Sequence, residues 1–252
     1  MATASIGSPG SRPRGRRSRD RIFYTGVSAL IWLVLLAGFT RSWVFSHWFE
    51  PPPGTPRMTA LLVAHGSALS AWSVFILLQP GLVAARNLRL HRRLGWLAAA
   101  IALLALAIAN LAAIEAMHVG FIGMGDPAAF YAIPFFDIWT FALLVGLAVA
   151  RRNDGETHKR LMLLSSTQLI EPAIARYPIA WMQAWFPYST HLLCNWVVVA
   201  GIAYDLWSRG RVHPAWLWGG AIVVGSEVLR LLVWHSAPWV AFAHAMAGLW
   251  WG

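Results

Sequence analysis

The sequence predicts an all-α, polytopic membrane helix bundle with about seven transmembrane helices, the N-terminus in the cytoplasm and the C-terminus outside. Composition and block pattern both predict this fold class. Of the 252 residues, 58% are hydrophobic and 12% are charged, which is too apolar for a soluble domain of this length. The apolar residues also form long blocks between basic loops, and such blocks satisfy their backbone hydrogen bonds in lipid as helices.

Seven segments reach the roughly 20 apolar residues that a membrane-spanning helix needs. They cover residues 22–45, 58–82, 95–117, 129–150, 161–182, 186–206 and 215–238. We therefore predict a single transmembrane helical domain, 22–252, preceded by a disordered basic cytoplasmic tail, 1–21. The last 14 residues are apolar but too short to span, so they either extend the seventh helix or lie along the outer surface.

Basic residues lie on alternate sides of these spans. They cluster before the first span and after the second, fourth and sixth, so 16 of the 20 Lys and Arg residues fall on one side. The positive-inside rule assigns that side to the cytoplasm of a bacterial inner membrane. The net charge of +10 therefore indicates topology and contact with membrane lipids rather than nucleic-acid binding. The oligomeric state stays open.

Ionisable residues inside membrane spans are costly and usually face the interior of the bundle. With a rise of about 1.5 Å per residue, polar residues from six helices fall at similar depths in the outer half of the membrane. They are His65, Asn110, Asp137, Arg176, His191 and Arg230. Glu171 and Glu227 lie somewhat deeper, so the sequence predicts one polar layer.

Helical spacing places some of these side chains on shared faces. His191 and Asn195 are four residues apart, and Glu227 and Arg230 are three apart. We expect Glu227 and Arg230 to neutralise each other within one helix. Cys194 is the single cysteine, so neither an internal disulfide nor a thiolate cluster is expected.

Arg176 needs an acid from another helix. It lies five residues after Glu171, which is too far round the helix for a shared face. Asp137 is the expected partner of Arg176.

Several functions fit this polar layer. The leading interpretation is a haem- or metal-binding redox or assembly protein, in which His65 and His191 hold a b-type haem and a membrane redox partner supplies electrons. Alternatively, His65, His191 and Asp137 hold a divalent metal ion in a seven-helix membrane hydrolase. In a proton-coupled transporter, Asp137 and Glu171 would carry protons and Arg176 would meet an anionic substrate. A buried structural network is the remaining alternative.

Three histidines each precede or begin a helix on the cytoplasmic side. They occur in LHRRLGW at His91, THKRLML at His158 and RVHPAWLW at His213. As neutral imidazoles they would brace the helix starts, where a cation is disfavoured. Together they would instead bind a metal or a lipid phosphate with the neighbouring arginines.

These motifs also carry a resemblance. HGSALSAWSVFILLQ from His65, HRRLG from His91, HKRLMLL from His158 and RGRVHPAWLWG from Arg209 resemble an uncharacterised family of bacterial polytopic membrane proteins. The resemblance covers about residues 58–220 and implies membership without a mechanism. The chain is more loosely similar to cytochrome b561 and ferric-reductase-type membrane domains, which implies haem held between histidines of core helices.

Overall fold

A computed structural model describes residues 14–48, 58–119 and 125–251 of the chain. Within these ranges the chain forms helices and turns, and no residue lies in a strand, so the all-α prediction is confirmed. In the same ranges, five helical segments are long and apolar enough to cross a membrane. They are Ser18–Val44, Ala60–Ala84, Leu88–His118, Pro127–Ala150 and Pro214–Val233.

The described residues form twelve α-helices. Their bounds are α1 Arg14–Phe39, α2 Ala60–Ala84, α3 Leu88–Val119, α4 Pro127–Phe130, α5 Ala132–Ala150, α6 Gly155–Ser165, α7 Thr167–Ile174, α8 Ala180–Ala184, α9 Tyr188–Cys194, α10 Trp196–Arg209, α11 Pro214–Val233 and α12 Ala237–Trp251. A π-helical turn, Thr40–Val44, continues α1. α1 begins at Arg14, so residues 14–21 of the predicted tail are helical in the structure; residues 1–13 lie outside the described residues.

The predicted fifth span, 161–182, is not one continuous helix. α6 and α7 follow one another with only Ser166 between them, but α7 ends at Ile174. Pro178 explains the early end, because proline disfavours a helical conformation in the residue before it, whereas Pro172 lies inside α7.

The predicted sixth span, 186–206, is also interrupted. α9 and α10 are separated by Asn195, whose φ of −68° and ψ of −4° remain close to helical values. The side-chain amide of Asn195 donates to the carbonyl oxygen of His191 at 2.9 Å, and the Cys194 sulfur lies 3.2 Å from the same oxygen. Side chains therefore satisfy backbone groups at the break.

The helices pack into a bundle with α7 near its centre. α1 packs against α2 and α7, α5 against α6 and α11, and α7 against α9. The fully buried side chains Ile31, Leu144, Ile170 and Trp216 belong to one hydrophobic core. A Cβ atom at Gly201 would overlap the Trp216 ring, so glycine permits the close approach of α10 to α11.

The C-terminal apolar segment forms a separate helix, α12, after a turn at residues 234–236. It packs against α3 and α4, and the indole N–H of Trp239 donates to the carbonyl oxygen of Ala128 at 3.1 Å. Of the two alternatives for this segment, extension of the seventh helix is therefore wrong.

Candidate functional site

The guanidinium of Arg230 bridges two acids in the interior of the bundle. Arg230 is fully buried, and its Nη1 donates to Asp137 Oδ1 at 2.6 Å while its Nη2 donates to Glu171 Oε2 at 2.6 Å. Because Arg230, Asp137 and Glu171 lie on α11, α5 and α7, this one cation ties three helices together.

Glu227 makes different contacts from its helix neighbour Arg230. Its Oε2 accepts a hydrogen bond from the Asn195 amide at 2.6 Å, and its Oε1 accepts one from the Cys194 thiol at 3.4 Å. The expectation that Glu227 and Arg230 pair within one helix is therefore wrong, because Arg230 directs its two terminal nitrogens to acids on other helices.

His191 adds an imidazole next to Glu171. Its Nδ1 lies 2.6 Å from the carbonyl oxygen of Pro187 and 3.3 Å from Glu171 Oε1. A carbonyl oxygen can only accept, so Nδ1 carries the hydrogen and Nε2 of the neutral ring carries a lone pair. Among the described residues, neither His191 Nε2 nor Glu171 Oε1 has a hydrogen-bond partner, and both atoms are buried.

These side chains form a central cluster whose members are Asp137, Glu171, His191, Cys194, Asn195, Glu227 and Arg230. Its three carboxyl groups are all buried, and its one guanidinium binds two of them, Asp137 and Glu171. If all three were ionised, the cluster would carry two uncompensated negative charges. Burying unpaired charge is costly, so this arrangement favours the binding of protons or of a cation.

Arg176 and Asn110 lie apart from the central cluster, although the sequence placed them at the same depth. Arg176 donates to the carbonyl oxygen of Pro172 at 2.6 Å, and its guanidinium carbon lies 4.5 Å from the centroid of the Phe39 ring. The expected Arg176–Asp137 pair is wrong, because Arg230 binds Asp137. Asn110 donates within its own helix.

His65 lies on α2, which packs chiefly against α3 and α1, whereas His191 lies on α9, which packs chiefly against α7. In the part of the chain that the structure describes, no hydrogen bond or ring contact joins the two histidines, and His65 Nδ1 is buried without a partner. A haem between His65 and His191, and a metal ion held by both with Asp137, stay predictions from sequence.

The three histidines at the predicted cytoplasmic side, His91, His158 and His213, have structural contacts at or near the starts of α3, α6 and α11. His213 Nδ1 accepts a hydrogen bond from a first-turn amide of α11 at 3.2 Å. Burial, together with the charge of Arg160, lowers the pKa of His213, so the neutral acceptor is favoured. His158 Nδ1 lies 2.8 Å from the carbonyl oxygen of Ala148, and its ring centroid is 6.4 Å from that of His91.

A second polar group lies at the end of the bundle where α6 begins and α10 ends, and we call it the inner-end cluster because the sequence predicts this end to be cytoplasmic. Its members are Asp20, Glu156, Lys159, Arg160, Asp205 and Arg209. Arg160 and Asp205 are fully buried, with Nη2 2.6 Å from Oδ1, and Lys159 Nζ lies 2.7 Å from Asp20 Oδ2. Arg209 Nη1 lies 2.7 Å from Glu156 Oε2. Three cations thus meet three acids.

Sequence reasoning missed the inner-end cluster and the place of Cys194 in the central cluster. Asp20 and Glu156 lie in segments that it treated as basic tail and loop, although two acids among so many arginines were a signal for ion pairing. Cys194 was considered only for a disulfide or a thiolate cluster, and neither was expected. Its place three residues after His191 and directly before Asn195 was the signal that it faces the same interior.

Comparisons of the chain with protein-family models, with curated proteins and with solved structures found no match. The function of this chain is therefore inferred from the chemistry of the central and inner-end clusters.

Proposed function

We propose that this chain is a seven-pass protein of the bacterial inner membrane that couples proton binding at the central cluster to the movement of a small solute. The observation that carries the proposal is the set of three buried carboxyl groups in the central cluster, whose one guanidinium, that of Arg230, binds two of them. The N-terminus would lie in the cytoplasm and the C-terminus outside, as the positive-inside rule predicts.

Two pairs of consecutive helices support the predicted fifth and sixth membrane passes. α6 with α7, and α9 with α10, each give about 20 helical residues, which corresponds to roughly 30 Å and so to the thickness of the hydrocarbon core. Contacts at the helix ends also agree with successive passes running in opposite directions. The inner-end cluster joins the start of α1 and α6 to the end of α10, whereas Thr59, before α2, donates to Glu115, near the end of α3, at 2.8 Å.

The charge of the central cluster favours transport over a structural role. Glu171 lies on α7, five residues after Ser166, and Cys194 and Asn195 lie where α9 gives way to α10. Ser166 and Asn195 keep near-helical backbone angles, so these helices are locally distorted rather than unwound, and it is the charge of the cluster that favours transport. A purely structural network would be expected to balance its charges.

Proton binding would change the contacts of Arg230. When Glu171 is ionised, the guanidinium is shared between Glu171 and Asp137. A proton on Glu171 weakens its attraction for the guanidinium and leaves Asp137 as the main counter-ion. Since Glu171 and Arg230 lie on α7 and α11, protonation would alter how strongly these helices are held together, and this is the proposed coupling step.

Solid-supported-membrane electrophysiology tests the proposal without a known solute. Proteoliposomes of the full chain, given a rapid pH jump, are expected to produce a transient current as protons enter the membrane-embedded cluster. Glu171→Gln should reduce this current to the protein-free baseline. Glu115→Gln, the same change at a glutamate bonded to Thr59 outside the central cluster, should leave it unchanged.

Two results would contradict the proposal. One is a wild-type current no larger than that of protein-free liposomes, for protein shown to be folded. The other is an undiminished current in Glu171→Gln.

A further inference from the structure

Three side chains of the central cluster have the spacing of metal ligands. Glu171, Cys194 and Glu227 each place a ligand atom within 4.8 Å of those of the other two, and they are 2%, 1% and 4% exposed. Cys194 Sγ lies 3.4 Å from Glu227 Oε1. Neighbouring ligand atoms of a tetrahedral zinc site with Zn–S of about 2.3 Å and Zn–O of about 2.1 Å are about 3.4 to 3.6 Å apart.

The surrounding residues orient both carboxylates and leave one oxygen of each toward other partners. Arg230 binds Oε2 of Glu171, and Asn195 binds Oε2 of Glu227. Glu171 Oε1 is buried and accepts no hydrogen bond from any described residue. The remaining oxygen of Glu227 is bonded only to the Cys194 thiol among the described residues, and a thiol that loses its proton becomes a ligand.

We propose that Glu171, Cys194 and Glu227 bind one divalent transition-metal ion, and that this ion and protons occupy the central cluster alternately. This inference rests on the proposed function and names its solute class. Three carboxylates and one guanidinium leave two negative charges, which either one divalent ion or two protons neutralises. Exchange of one ion for two protons is electroneutral with a neutral Cys194 thiol. The proposed ligand is the thiolate, so one bound ion displaces three protons, two from carboxyl groups and one from Cys194, and the cluster keeps one negative charge.

The donor set selects the class of metal. A sulfur with two carboxylate oxygens suits zinc and cobalt, whereas magnesium and calcium prefer sites made of oxygen alone. Three protein ligands also leave a fourth position for water. An open position suits an ion that must enter and leave, because ligands can then exchange one at a time.

Cobalt(II) is the probe for this site. Titration of the tag-free, detergent-purified chain is expected to give one bound Co²⁺ per chain by equilibrium dialysis and elemental analysis, with a near-ultraviolet thiolate-to-cobalt absorption band. Cys194→Ser should remove the band and weaken binding, and Glu227→Gln should weaken binding at least about tenfold. Glu115→Gln should bind cobalt as the wild type does. No stoichiometric binding by folded wild type, or an unchanged band in Cys194→Ser, would overturn the inference.

The pH-jump and cobalt experiments test different claims, so either one can fail while the other succeeds. Currents without a cobalt band would overturn the metal site and leave proton coupling standing. A cobalt band without currents would support the metal site and contradict proton-coupled transport. Currents that cobalt suppresses in the wild type, with less suppression in Glu227→Gln, would support both together, because metal and protons would then compete for the same cluster.

Discussion

The inner-end and central clusters are both buried groups of charged side chains, but they differ in balance. At the inner end, three acids face three cations, and even the fully buried Arg160 and Asp205 have each other at 2.6 Å. The central cluster has three carboxyl groups and one cation, Arg230, which pairs with Asp137 and Glu171 but not with Glu227. A balanced cluster is complete as a structural tie between helices. An unbalanced one needs protons or a metal ion, so the excess of acids, rather than burial, indicates function here.

The largest expected effect comes from removing the cation of the unbalanced cluster. Arg230→Met leaves Asp137 and Glu171 buried without a counter-ion, and it should lower the free energy of unfolding by about 3–5 kcal/mol at pH 8. Thermal unfolding and denaturant titration in detergent measure the change. The difference in unfolding free energy between wild type and Arg230→Met should become smaller toward pH 6, because a carboxyl group without a cation can be neutralised by a proton.

Arg151→Met is the matched control for this change. Arg151 is exposed in the turn between α5 and α6, so its replacement should have little effect on stability. An equal loss in the two variants would mean that Arg230 holds no essential counter-charge, and the comparison between the clusters would fail.

Removing an acid from the balanced cluster should give a smaller effect with a different pH dependence. Asp205→Asn breaks the buried pair with Arg160, but Arg160 keeps Glu156, 2.9 Å away, so a loss of about 3 kcal/mol is expected. A guanidinium does not release its proton. The deficit should therefore persist from pH 8 to pH 6, and the pH-jump current should stay at the wild-type level. A deficit that vanished at pH 6 would contradict this account.

Much of the fold could be predicted because long apolar runs require little beyond hydropathy. The second span was predicted at 58–82 and the helix is Ala60–Ala84. The same reasoning was wrong about a continuous helix over 161–182, because a hydropathy count does not register that Pro178 disfavours helical backbone in the residue before it. Apolar content thus predicts that a segment is helical more reliably than it predicts where its helix ends.

The depth of polar residues in their helices predicted some members of the central cluster. It did not predict which side chains pair with each other. Asp137, Glu171, His191 and Arg230 were placed in one layer, and the structure brings them together. Arg176 was placed in the same layer and lies elsewhere. Depth depends on position along one helix, whereas pairing depends on the order and rotation of several helices, which no local pattern encodes.

The smallest expected effect on stability comes from replacing Glu156 in the inner-end cluster. Burial alone would raise the pKa of Glu156, but the charges of Lys159, Arg160 and Arg209 outweigh it and hold that pKa well below its ordinary value of 4.5. A carboxyl group with a depressed pKa stabilises the folded chain fully above its unfolded pKa, and this contribution is lost as the pH falls toward the folded value. Glu156→Gln should therefore cost about 1–2 kcal/mol at pH 7.

The pH profile of that cost is the sharper measurement. The difference in unfolding temperature between wild type and Glu156→Gln should stay constant from pH 8 to pH 6 and narrow below about pH 4.5, where the unfolded wild-type chain takes up a proton that the folded chain refuses. Narrowing already between pH 8 and pH 6 would show that Glu156 is not held ionised by its neighbours. The inner-end cluster would then exchange protons in the range assigned to the central cluster, and charge balance would no longer separate structural from functional polar groups in this bundle.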